Sequence, residues 1–163
     1  MLNDSWRNKI YNQICQIDKA TNGGVDGKLS WKEIEHTADT GIEVIADRIE
    51  DIFLESAQAF YALMSNSSYS LNARKKDHAI SLVGMDLGDL AVQWLNELVY
   101  LWETENSIFV PNQMEVDFQK ASLNTFGFLV EVPDSGGRIK AATYGGLVME
   151  TDPVFFLRVF LDV

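Results

Sequence analysis

Two stretches of helical periodicity, set in a chain that otherwise alternates apolar and polar residues, limit the folds open to this sequence. From Arg48 to Met64, the residues Ile49, Ile52, Phe53, Ala57, Phe60 and Met64 recur at three- and four-residue steps, with Glu50, Asp51 and Glu55 off that stripe. From Leu87 to Thr104, the residues Leu87, Leu90, Ala91, Trp94, Leu95, Leu98, Leu101 and Trp102 make a wide apolar face. Asp47 suits the N-cap of the first helix, and Asp86 followed by Asp89 predicts a capping arrangement at the second. Elsewhere the period is that of strands. Met114 to Gln119 alternates strictly, and Phe126, Phe128, Val130 and Val132 share one parity. Phe155, Leu157, Val159 and Leu161 do the same, and His78, Ile80 and Leu82 mark a strand before the second helix. Trp31 to Ala46 is rich in β-branched residues and holds no helical stripe. Two helices among roughly seven mostly consecutive strands predict an α+β fold, two amphipathic helices packed on a mostly antiparallel β-sheet in a single domain.

The 163 residues, 47% of them hydrophobic, supply one real core. Residues 1–28 read as an N-terminal extension, partly helical, because Trp6, Ile10, Ile14 and Ile17 recur at helical steps ahead of the turn-rich Ala20–Gly27. Residues 29–163 read as the domain proper. Thirteen Lys and Arg against 24 Asp and Glu give a net charge of −11. Such a surface repels a polyanion, so direct nucleic-acid binding is not expected; a basic protein partner or a bound cation fits it better. No apolar run nears the roughly 20 residues that cross a bilayer. The lone Cys15 needs no oxidising compartment, and the expectation is a cytoplasmic protein.

Three local patterns carry candidate chemistry. Asn22 to Glu33 matches a 12-residue calcium loop at Asp26, Gly27, Leu29 and Glu33, with Asn22 in the first place. Its third position is Gly24, which offers no side-chain oxygen, and no helical stripe follows Glu33, so a turn-rich linker into a strand is the favoured reading. The second pattern, Glu35-His36-Thr37-Ala38-Asp39 before Thr40-Gly41, gathers polar groups where a strand turns. The third is the end, Phe160-Leu161-Asp162-Val163, where a side-chain carboxylate sits beside the terminal one. Clustered anions of this kind repel unless a cation or proton lies among them, and oxygen-only donors select calcium, magnesium or manganese. Lys140, inside Arg138 to Tyr144, could bring its ammonium to a carboxylate or phosphate.

In order, these segments resemble the archease family. Glu35-His-Thr-Ala-Asp39 is similar to the family's Asp-His-Thr-Ala-Asp, and Ile49 to Phe53 resembles its Leu-Glu-Glu-Ala-Phe. Trp94 to Leu101, Ile139 to Tyr144 and Val159 to Val163 resemble further family segments, over about residues 31–163. Two departures are Glu35 for Asp and Gly145 where the family commonly has His. The resemblance implies a non-enzymatic cofactor of the GTP-dependent RNA ligase of tRNA splicing and RNA repair, one that promotes ligase guanylylation and multiple turnover. It also implies a metal site at Asp39 and Asp162, with the Val163 terminus a further ligand. His36, Thr37, Lys140 and Tyr144 become residues that face the ligase. A calcium-responsive module at Asn22, Asp26 and Glu33, or a metal-dependent hydrolase using the same carboxylates, are the alternatives.

Overall fold

The computed structural model describes residues 31–35, 39–64, 75–132 and 138–163. The extension expected over residues 1–28 lies outside them. Along the chain come β1 (Trp31–Glu35), β2 (Thr40–Ala46), α1 (Ile49–Met64), β3 (Lys75–Val83), α2 (Leu87–Glu105), β4 (Ser107–Asp117), β5 (Ser122–Glu131), β6 (Ala141–Glu150) and β7 (Phe155–Asp162). The strands pair antiparallel throughout, as alternation predicts, but they divide into two sheets rather than one. Their orders are β1-β2-β7-β6 and β3-β5-β4.

The four-stranded sheet buries one parity of each central strand. Ile42 and Val44 of β2 and Leu157, Val159 and Leu161 of β7 are all fully enclosed. α1 lies on that side with Ile52, Phe53, Ala57, Phe60 and Met64 turned into the same core. α2 starts where the sequence predicts. The Asp86 carboxylate accepts the Asp89 amide at 2.8 Å, and the Asp89 carboxylate accepts the Met85 amide at 2.8 Å. This reciprocal cap satisfies two otherwise orphaned donors. The helix ends on Asn106, left-handed at φ 46, whose N–H returns to the Leu101 carbonyl.

Trp94 joins the layers. Its indole N–H donates to the Phe53 carbonyl of α1 at 2.9 Å, and its ring meets Phe109 of β4 edge to face with centroids 6.2 Å apart. Tyr61 performs a second join, donating to the Phe109 carbonyl at 3.2 Å and accepting the Phe109 amide at 2.9 Å. One hydroxyl thereby satisfies both outward-facing backbone groups of Phe109 on the β4 edge, and burial pushes its pKa well up. Asn96 treats β6 in the same way, accepting the Ala142 amide at 2.8 Å and donating to the Ala142 carbonyl at 3.2 Å. The side-chain amide acts as one more strand residue and anchors the start of β6 to α2.

Candidate functional site

β2 and β7 run antiparallel with Thr40 opposite Leu161. Asp39 precedes Thr40 and Asp162 follows Leu161 as the last residue of β7, so the same register continued one step past its last pair sets the two acids opposite each other. Parity sets both on the face away from the helices, with Gly41, Glu43, Arg158 and Phe160, and both are exposed. Directly opposed residues on one face have Cβ atoms about 4.5–5.5 Å apart, and like charges there destabilise the pair. Two acids are therefore brought to the same end of neighbouring strands, at an electrostatic cost that a cation would relieve.

The surroundings fix Asp162 in place. The Lys140 amide donates to the Asp162 carbonyl at 2.7 Å, and Ala141 is the strand partner of Asp162 on the β6 side. The Phe160 ring, two residues back, lies on bare backbone. A Cβ at Gly41 would stand 2.9 Å from it, and one at Gly146, where φ is +71, would stand 2.7 Å from it. Both glycines are needed to seat that ring. Lys140 Nζ lies 3.3 Å from the main-chain oxygen of Val163. That oxygen therefore already has a cationic neighbour. On the helix side of the same end, Glu33, Thr40, Leu63, Arg138, Ile139 and Val163 line a small cleft.

Among the described residues no three His, Cys, Asp or Glu side chains gather into one metal-sized group. Two opposed carboxylates with room for water still suit a hard divalent cation, since Mg²⁺ commonly keeps several waters and takes only one or two carboxylates. Of the other expected site residues, His36, Thr37, Asn22 and Asp26 lie outside the described residues. Glu33 sits in the middle of β1, opposite Ile42, where a calcium hand needs it to open an exiting helix. Tyr144, 58% exposed, has a partner within the chain. Its hydroxyl donates to the Asp89 carboxylate at 2.6 Å, holding that carboxyl below its ordinary range and so securing the α2 cap. The same bond raises the Tyr144 hydroxyl. Gly145 faces open space, with only Thr143 Oγ1 at 4.0 Å from a Cβ built there.

Sequence patterns gave no warning of an ion cluster on the same face, four residues further along β2 and β7. Glu43, 7% exposed, takes Lys32 Nζ at 2.6 Å and the Arg158 guanidinium at 2.6 and 2.7 Å. The Lys32 hydrogen bond foremost, helped by Arg158 and opposed by burial, holds its carboxyl below the ordinary 4.5. The only sequence signal was the parity of three charged residues on strands whose pairing is long-range. A depressed folded-state pKa contributes stability above the unfolded value and loses it as pH falls through the folded one. Glu43→Gln is therefore expected to melt lower than wild type at neutral pH. Its melting temperature should also change less between about pH 5 and 3. Thermal denaturation across that range checks both.

Comparison with known proteins agrees with this architecture. The solution structure of Methanobacterium thermoautotrophicum protein 1598 superposes with a TM-score of 0.60 at 23% identity, over 82% of this chain and 99% of that one. A Thermotoga maritima crystal structure, described as an archease and possible chaperone, gives a TM-score of 0.56 at 23% identity, over 81% and 96% of the two chains. The Archaeoglobus fulgidus protein archease is 30% identical over 93 residues, 56% of this chain and 64% of that protein. The Methanopyrus kandleri one is 34% identical over 83 residues, 50% and 56%. These two matches thus span less than two thirds of each relative. That of Sulfolobus acidocaldarius is 26% identical over 134 residues, 79% of this chain and 95% of its own. The model of the Archease protein family (MTH1598/TM1083) matches residues 31–163, every described element included, and the chain belongs to that family.

Proposed function

We propose that this chain is a metal-binding accessory protein of a GTP-dependent RNA ligase, acting in the cytoplasm and without catalysis of its own. The observation that supports the reading is the pairing of Thr40 with Leu161, which puts their chain neighbours Asp39 and Asp162 at the same exposed end of β2 and β7. Those two carboxylates would hold calcium, magnesium or manganese; when bound, the ion supplies positive charge for the phosphates of GTP in the ligase. The chain's own residues set its position. The seated Phe160 ring and the bond from the Lys140 amide keep Asp162 from moving away from Asp39. The Lys140 ammonium beside Val163 adds a cation at the rim, placed for a ligase carboxylate or a phosphate oxygen. The net charge of −11 is consistent with a helper that approaches the ligase and leaves the RNA to it.

Ligase guanylylation with limiting enzyme tests the proposal. Adding the full chain with a divalent cation should carry each ligase molecule through more than one cycle. A ligase that completes the same number of cycles with and without the chain contradicts it.

A further inference from the structure

The outermost strands of the two sheets are β1 and β6 in one and β3 and β4 in the other. An outer strand is a template for pairing with another chain unless something blocks it. β4 carries Pro111 with a register shift after it, and the Tyr61 hydroxyl occupies its backbone groups at Phe109. β6 meets the Asn96 amide at Ala142, and its register breaks between Thr143 and Val148. β1 is only five residues long. β3 has none of these devices. It runs for nine residues without Pro or Gly and pairs with β5 unbroken from Lys75 to Val83. Two bonds fix which way its backbone points. The Gly84 amide donates to the Ala121 carbonyl beyond β5 at 2.8 Å, and the Val83 carbonyl accepts the Gln93 side chain of α2 at 3.2 Å. Facing sides alternate along an antiparallel strand, so Lys76, His78, Ile80 and Leu82 bond β5. Asp77, Ala79 and Ser81, all exposed, then turn their N–H and C=O groups outward, where among the described residues no strand lies.

We propose that a second copy of this chain occupies that edge, β3 against β3 and antiparallel about a twofold axis at Ala79, joining two three-stranded sheets into one. A twofold pair must be self-complementary, and this strand is. Ala79 is its middle residue, so the whole length pairs and outward groups meet outward groups. Asp77 comes opposite the partner's Ser81, and Lys76 opposite the partner's Leu82, so neither of these charges faces its like. Centring the pair on Asp77 would oppose two carboxylates. The alanine also lies between two large exposed rings. Phe126, 45% exposed, neighbours it across β5, on the sheet side that carries Asn124 and Ser81. Tyr100, 56% exposed, lies about two helical turns beyond Gln93 on the same arc of α2. Gln93 bonds the edge at Val83, and Glu105 lies 3.9 Å from Lys76, so Tyr100 stands over the stretch between them. The small Ala79 pair leaves room for both rings to close on the partner from opposite sides of the sheet. The net charge of −11 on each copy opposes association, so added salt should tighten the dimer. An interface of one strand and two rings per copy is small, and it shows at high protein concentration. It leaves the carboxylate pair, on the other sheet, open.

Sedimentation equilibrium of the full chain, over a range of concentration and salt, tests the proposal. The apparent mass should rise from one chain towards two, and more so in high salt. Ala79→Pro removes an outward donor and no bond to β5, so that variant should melt near wild type and remain a monomer throughout. A wild-type chain that stays a monomer at every concentration and salt overturns the proposal, as does an Ala79→Pro chain that dimerises like wild type. Mild oxidation in a Cys15→Ser background reads the register independently. Ala79→Cys should form a disulfide-linked dimer, whereas Val83→Cys lies about 27 Å from its copy and should not. Equal yields from the two variants, or none from Ala79→Cys, would refute the twofold at Ala79.

Discussion

Trp94→Ala should melt about 10 °C or more below wild type, the largest fall expected from a single substitution in this protein. Trp94 is 0% exposed at the junction of α1, α2 and β4. Truncating a buried tryptophan to alanine costs about 3–5 kcal/mol through lost burial and the cavity left behind. For a domain of this size each kcal/mol shifts the melting temperature by about 2–4 °C. The lost hydrogen bond to the Phe53 carbonyl and the edge contact with Phe109 add to that cost. Tyr100→Ala is the matching control on the same helix. Its side chain is 56% exposed, so its effect should stay within about 0.5 kcal/mol. Calorimetry that finds the two variants alike would show that the layers are not joined through Trp94.

The second large effect is functional. Asp39→Ala or Asp162→Ala is expected to return ligase turnover to the level without this protein, each variant alone as completely as both together. On the proposed function the two carboxylates would hold one ion together, so removing either would leave a single exposed acid with weak hold on a cation. Their stability should move the other way. In metal-free buffer each variant should melt at or slightly above wild type, because a like-charge pair worth a few tenths of a kcal/mol is relieved. Lost stimulation with retained stability separates this effect from unfolding. Undiminished stimulation by either folded variant would remove the carboxylate pair from the mechanism.

How much of this was legible in the sequence varies with the range of the interactions. Both helices were readable to within a residue, Arg48 expected against Ile49 found and Thr104 against Glu105, because periodicity and the Asp86–Asp89 cap act over a few positions. β5 and β7 were readable from alternation. β4 was expected from Met114 and begins at Ser107, since Ile108, Phe109 and Val110 are buried on both faces and alternation vanishes there. The division into two sheets was hidden for a related reason. β2 pairs with β7 across most of the chain, and Glu43 meets Arg158 at a separation of 115 residues. No local pattern encodes such a pairing. The site shows the same limit. Spacing sets Asp39 at a turn and Asp162 beside the last residue, and only the resemblance to archeases joins them, while the pairing of Thr40 with Leu161 supplies a physical reason for their nearness. Tyr144 sits in the recognisable Ile139–Tyr144 segment, yet its hydroxyl serves the α2 cap, a contact set by tertiary packing alone.

Titration of the metal-free full chain with Mn²⁺, followed by the loss of the free ion's paramagnetic resonance signal, bears most directly on the carboxylate pair. One ion bound per wild-type chain and none per Asp39→Asn/Asp162→Asn chain is the expected outcome. Equal binding by both proteins, or no binding by wild type, would contradict it.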